Sequence, residues 1–137
     1  MKQIVLLTGA TGFLGKEVFY ALNSGDYEII AICSDSNKVD NHMPCDLSNP
    51  HELISLLNNV QPSIVINLAA KIHFNTTAIS ELNALNVLCP GIIADYCLKN
   101  DSFMLHASTI SVNGNKKTMF GIDTPLQPDT NYGKSKL

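Results

Sequence analysis

The stretch TGATGFLG, Thr8 to Gly15, decides how the rest of the chain is read. It follows the apolar run Ile4–Leu7 and opens onto a segment of helical periodicity, so it marks a strand–turn–helix junction. Its glycines have separate uses. Gly9 permits a tight turn, Gly12 lets the backbone approach a ligand, and Gly15 lets the helix lie close against the strand. The first N–H groups of the helix have no partner inside it and sit at the positive end of its dipole. A pyrophosphate fits there. Glycine spacing alone would equally describe a βα turn without a ligand; the strand before it and the helix after it favour the nucleotide reading.

Outward from that turn the chain alternates. Leu14, Val18, Ala21 and Leu22 recur at helical spacing, and Gly25 provides a stop. Glu28–Cys33 is a short apolar, β-branched run, as expected of a strand covered on both faces. A polar loop over 34–41 leads to a brief strand at His42–Cys45. Asn49, Pro50 and Glu52 then form a helix start with cap, N1 proline and N3 glutamate. That helix carries Leu53, Leu56, Leu57 and Val60 and stops before Pro62, where strand 63–68 begins. Helical periodicity returns from Thr76 to Lys99, with Leu82, Leu85, Ala94 and Leu98 expected inward and Pro90 expected to kink it. Ser102–Ala107 reads as a fifth strand, 110–129 as a loop, and a last helix begins near Thr130. Crossovers of this length join parallel strands, so the fold class is α/β, a doubly wound parallel sheet.

The 137 residues make one domain at most, with a real core. A content of 45% hydrophobic and 15% charged residues is that of a globular protein. The net charge of −3, with no basic cluster beyond Lys116-Lys117, gives no sign of a nucleic-acid partner. No apolar run reaches membrane-spanning length and no signal-peptide pattern opens the chain, so no membrane partner and a cytoplasmic location are expected. Cys33, Cys45, Cys89 and Cys97 lack metal-ligand spacing; no metal site is expected, and buried thiols are. All nine basic residues are lysine, which rules out a guanidinium clamp on phosphate within this chain.

Four motifs stand in one order: Thr8–Gly15, Asn67-Leu-Ala-Ala70, Ser108-Thr-Ile-Ser-Val-Asn-Gly114, and Tyr132-Gly-Lys-Ser-Lys136. Together they resemble the extended short-chain dehydrogenase/reductase family, NAD(P)-dependent epimerases, dehydratases and reductases acting mainly on nucleotide sugars. The stretch from Asn86 to Tyr96 with Pro90, and the segment from Ser108, are similar to the dehydrorhamnose reductase branch; the glycine motif looks more like the epimerase branch. The resemblance covers the whole chain and implies a Rossmann-type NAD(P)-binding domain over 1–137. It implies contacts to the dinucleotide from Gly9, Thr11, Gly12, Phe13, Leu14 and Gly15. Asp46 and Leu47 are expected beside the adenine, Leu68, Ala69 and Ala70 along the cleft, and Asn86 from the long helix. Tyr132 and Lys136 serve both cofactor and catalysis, with Thr109 as third catalytic residue.

The chemistry also follows from the residues. Tyr132 and Lys136 are four apart and share a helix face. A tyrosine pKa of about 10 must fall by roughly three units, about 4 kcal/mol, for the phenol to act as a base. A lysine cation at about 4 Å and intermediate dielectric supplies about that much. Thr109, at a strand end, can hold a substrate oxygen beside the phenol while Tyr132 takes or gives a proton during hydride transfer. The alternative, a non-catalytic redox-sensing module on the same fold, has no use for such a proton-transfer pair. Among lone histidines, His73 reads as a loop residue and His106 as a partly buried core residue.

Two departures from the family pattern matter. The acidic residue that would bind the adenine ribose falls on Asp35 by counting from Gly15, whereas aligning the strand puts Cys33 there. NAD is preferred on the strength of Asp35; NADP would need a cation, and Lys38 is the nearest. The chain also stops at Leu137, one residue after Lys136, where family members continue through the helix, further strands and a substrate-binding part. The expectation is therefore a sheet truncated after its fifth strand and the start of the next helix. Its terminal helix is expected to fray and the chain to be inactive alone, while the intact protein is a homodimer acting on a nucleotide sugar.

Overall fold

A computed structural model describes residues 2–23, 25–34, 42–72, 78–115 and 119–137. Five parallel strands, β1 (Gln3–Thr8), β2 (Tyr27–Cys33), β3 (His42–Pro44), β4 (Ile64–Asn67) and β5 (Phe103–His106), form one sheet in the order β3-β2-β1-β4-β5. The chain moves outward from β1 to β3, then returns to the other side of β1 for β4 and β5. The reversal falls between β1 and β4, and there a crevice opens at the carboxyl ends of the strands. The doubly wound architecture expected from the sequence is the one observed.

Alternation along the strands builds two apolar layers. Leu6, Val65 and Met104 lie in register across β1, β4 and β5. They pack with Leu53, Leu56 and Leu57 of α2 (Pro50–Val60) and with Cys89, Ile93 and Cys97 of the long helix. Leu7, Ala31 and Ile66 face the other way, toward Val18 and Phe19 of α1 (Phe13–Asn23). That second layer thins out at β5, where Leu105 and Phe103 are exposed.

Local chemistry explains the helix boundaries. Asn49 caps α2 by accepting from the His51 N–H at 3.1 Å, and its amide donates to Glu52 at 3.0 Å, so the capping signal is realised. The long helix consists of α3 (Ile79–Asn83), a π turn (Ala84–Leu88) and α4 (Cys89–Asn100). Pro90 has no N–H and its ring crowds the turn before it. The chain widens just ahead of it, and the Cys89 N–H reaches the Ala84 carbonyl five residues back. The expected kink thus takes the form of a π turn.

Beyond that turn the inward stripe is Cys89, Ile93 and Cys97, four apart. Leu98, expected inward, is 86% exposed, because it lies about 100° around the helix from Cys97. All four cysteines are buried and none is in a disulfide. The 110–129 loop begins with a short 3₁₀ turn (Ile110–Asn113), and α5 (Asn131–Ser135) closes the chain.

Gly15 is buried in α1, and a Cβ there would lie 2.0 Å from the Gly9 carbonyl oxygen. Gly91, in α4, has nothing within 4 Å of the same position. Gly15→Ala is therefore expected to destabilise the chain by at least about 2 kcal/mol in urea unfolding. Gly91→Ala is expected to stabilise it by about 0.5–1 kcal/mol through helix propensity. Equal effects of the two substitutions would contradict the proposed close approach of helix to strand.

Candidate functional site

A cleft of about 710 Å³ opens at the switch point between β1 and β4. Its floor is the glycine turn, where Gly9 takes φ +69° and a Cβ would meet the Ala69 nitrogen at 2.7 Å. Of the residues expected around a dinucleotide, Gly9, Thr11, Gly12, Asp46, Leu47, Leu68, Ala69 and Ala70 line it. Phe13 and Leu14 are exposed, at 95% and 53%, and Gly15 is buried where α1 meets the turn. Asp35 and His73 lie outside the described residues. Cys33 and Ser34, at the end of β2, form the wall on that side.

Asp46 sits at the cleft on an ordered turn. Its carboxylate accepts from the Ser48 hydroxyl at 2.6 Å and the Ser48 N–H at 2.9 Å. These two bonds, the hydroxyl's first, hold its carboxyl below the ordinary range against a smaller effect of burial. Across the cleft, the Lys71 ammonium meets the Glu81 carboxylate at 3.1 Å; both residues line the cavity, and neither was expected there.

Asn86, expected to touch the cofactor, has a different task in the structure. It is buried in the π turn, and its Oδ1 accepts from the Lys71 N–H at 2.7 Å. Its amide donates to the Lys71 carbonyl and to the Ser135 hydroxyl, both at 2.9 Å. One side chain therefore ties the cleft wall after β4 to the helix bearing Tyr132.

That helix is docked rather than frayed. Thr130 caps it by accepting from the Gly133 N–H at 3.0 Å. Gly133 lies so close to the 3₁₀ turn that a Cβ would stand 2.4 Å from the Ser111 carbonyl oxygen. Thr109 caps the 3₁₀ turn through the Ser111 N–H, so the elements carrying Thr109 and Tyr132 lie side by side. The phenol–ammonium pair expected from the four-residue spacing is not formed. Lys136 is the C-cap, and its N–H still bonds the Tyr132 carbonyl at 3.1 Å. Its side chain is buried, and Nζ lies 3.2 Å from His106 Nε2.

His106 is accordingly not a core residue. It belongs to a polar row, Thr8, Asn67 and His106, in register at the carboxyl ends of β1, β4 and β5. Thr8 Oγ1 contacts Asn67 Oδ1 and accepts from the Ala69 N–H at 3.2 Å, which fixes the cleft wall; Asn67 Nδ2 lies 3.1 Å from His106 Nδ1. Counting back from the three strand ends would have brought these residues to one level.

A doubly wound parallel sheet with a glycine turn at its switch point is the Rossmann-type nucleotide-binding architecture. The chain belongs to the RmlD substrate binding domain family, whose sequence model matches residues 1–137, in agreement with the resemblance carried by the four motifs. It is 29% identical over 136 residues to a dTDP-4-dehydrorhamnose reductase of Aggregatibacter actinomycetemcomitans, covering 96% of this chain and 44% of that protein. The fold superposes on a hypothetical dTDP-4-dehydrorhamnose reductase from Sulfolobus tokodaii with TM-score 0.87 and 26% identity, over 99% of this chain and 49% of the other. It also matches the Bordetella bronchiseptica enzyme WbmG in complex with NAD and UDP, with TM-score 0.84 and 23% identity over 99% and 47%, a likeness of fold alone. The chain spans less than half the length of these proteins. Among the described residues, no helix is long and apolar enough to cross a membrane.

Asn86→Ala leaves two backbone groups of Lys71 without their partner and removes the donor to the Ser135 hydroxyl, which keeps its own bond to the Tyr132 carbonyl. A loss of about 1–3 kcal/mol is expected on unfolding, with faster hydrogen exchange at the Lys71 amide. Unchanged exchange at Lys71 would show that the clamp is not formed in solution.

Proposed function

We propose that residues 1–137 are the dinucleotide-binding portion of an NAD(P)-dependent enzyme that reduces, epimerises or dehydrates a nucleotide sugar. The observation that carries this reading is the cleft itself. Its floor has no side chain at Gly9 or Gly12, its walls come from the ends of β1, β2 and β4, and it lies at the switch point of the sheet. Gly9, Thr11 and Gly12 would hold the pyrophosphate, and Asp46 and Leu47 would flank the adenine. Leu68, Ala69 and Ala70 would guide the chain of the dinucleotide toward Tyr132. When bound, the nicotinamide supplies or accepts the hydride. NAD is favoured over NADP by the acidic Asp35 and by the absence of arginine in the chain.

The residues of this chain provide the proton. Tyr132 donates to or accepts from the substrate hydroxyl, and Thr109 holds that oxygen in place. Lys136 lowers the phenol pKa once its ammonium turns from His106 toward the phenol. In the 137-residue chain the helix has five residues and Lys136 is turned inward, so this portion alone is catalytically silent. The names of the relatives support the substrate class, since the curated relatives include a dehydrorhamnose reductase and a heptose epimerase.

Tyr132→Phe tests the assignment in the full-length protein. It should lower kcat by at least about 10²-fold, while NAD affinity stays within about two-fold, because the phenol oxygen serves proton transfer and not pyrophosphate binding. Retention of most of the turnover would assign the proton to another group.

A further inference from the structure

The buried end of Lys136 meets a side chain that the proton-transfer scheme does not use. We propose that His106 holds the Lys136 ammonium inward, in the resting position that it leaves to reach the phenol, and that the row Thr8–Asn67–His106 couples the protonation state of this lysine to the cleft wall at Ala69. The role of Lys136 in catalysis rests on the reading above; its pairing with His106 rests on geometry alone.

Asn67 and Thr8 are fully buried, so each polar atom of the row needs a partner. The contacts run without a gap: Ala69 N–H to Thr8 Oγ1, Thr8 to Asn67 Oδ1, Asn67 Nδ2 to His106 Nδ1, and His106 Nε2 to Lys136 Nζ. Each hydrogen bond holds one proton, and an amide or a neutral imidazole has one donor end and one acceptor end. Two assignments therefore give every contact from Thr8 to Lys136 its one proton.

In the first, the Thr8 hydroxyl donates to Asn67 Oδ1 and Asn67 Nδ2 donates to His106 Nδ1. His106 then carries its proton on Nε2 and donates it to Lys136, which must be the neutral amine. In the second, the Lys136 ammonium donates to His106 Nε2. The ring proton sits on Nδ1 and goes to Asn67 Oδ1, with the amide turned over, and Asn67 Nδ2 donates to Thr8 Oγ1 beside the Ala69 N–H, which rotates the Thr8 hydroxyl proton out of the row. A mixture of the two puts two protons, or none, between one pair of atoms. Loss of one proton from Lys136 to solvent therefore switches the His106 tautomer, the Asn67 amide and the Thr8 hydroxyl together.

The surroundings make the switch accessible. Burial pulls the Lys136 pKa below that of an ordinary lysine, opposed by Cys89. His106 keeps an exposed edge; desolvation of its inner side, then the Lys136 charge, lowers its pKa against the Asn67 backbone, so the ring stays neutral to lower pH than usual. The groups facing this pair are Asn67 from β4 and Cys89 from α4. Cys89 is pushed up to about 12, by burial first, and remains a thiol through the neutral range. A lysine held this way has one neutral acceptor, which fixes the ammonium without quenching it.

The 137-residue chain, labelled with ¹⁵N at histidine and ¹³Cε at lysine, tests this by NMR without turnover or ligand. Neutral His106 should be the Nδ1–H tautomer while Lys136 is charged, and should change to Nε2–H as Lys136 titrates. The Lys136 ¹³Cε resonance should show a step at the pH where His106 titrates. In Lys136→Met, which keeps the apolar stem, the His106 pKa should rise. An Nε2–H tautomer below the Lys136 titration, or a His106 pKa identical in the two chains, would overturn the proposal. Should Lys136→Met fail to fold, the wild-type tautomer and the lysine step decide alone. A chain that fails to bind dinucleotide yet shows the switch would reject the functional reading and leave this pairing intact.

Discussion

The constraint on which the cleft depends is the approach of the Gly9 backbone to the end of β4. A methyl group on Gly9 would stand 2.7 Å from the Ala69 nitrogen and 2.8 Å from the Leu68 carbonyl carbon. Only a residue without Cβ, and at ease with positive φ, lets the loops after β1 and β4 lie side by side. Because the strand order reverses between those strands, their separation defines the crevice. Gly15 presses α1 against the same turn from outside. The cleft is thus set by two backbone approaches rather than by side-chain packing.

Polar groups then fix what the backbone has opened. Asn86 holds the wall at Lys71, Thr8 holds it at Ala69, and Ser48 orients Asp46. The Asn86 and Thr8 networks run on to the C-terminal helix and its cap, through Ser135 and through His106. A helix of five residues has little stability of its own, since nucleation costs more than its few hydrogen bonds return. Its docking depends on the Thr130 cap, the contact of Gly133 with Ser111, and these two side-chain links. The cofactor cleft and the Tyr132 segment are therefore mechanically joined across the α2/α4 side of the sheet.

The fold was legible because its signals are local. The glycine turn, the Asn49–Pro50–Glu52 cap and the β-branched runs each specify an element from neighbouring residues, and parallel pairing follows from crossover length. The cleft residues Asp46, Leu47 and Leu68–Ala70 were legible through the motifs. What sequence did not give was contact at long range. Leu98 has the same apolar character as an inward residue, and only the helix phase after the π turn turns it outward. Lys136 lies four residues from Tyr132, yet the helix ends before it, and its partner is 30 residues away on β5. Asn86 carries a family motif, but whether it touches a ligand or the backbone of Lys71 depends on its buried position in the π turn.

The central claim is that the switch-point crevice binds a dinucleotide. Titrating NAD into the ¹⁵N-labelled 137-residue chain and following amide shifts tests it most directly. The account predicts saturable changes at Gly9, Thr11, Gly12, Asp46, Leu47, Ala69 and Ala70, with smaller ones at Lys71 where Asn86 clamps the wall. Changes confined to residues outside the crevice, or none at millimolar NAD, would contradict it.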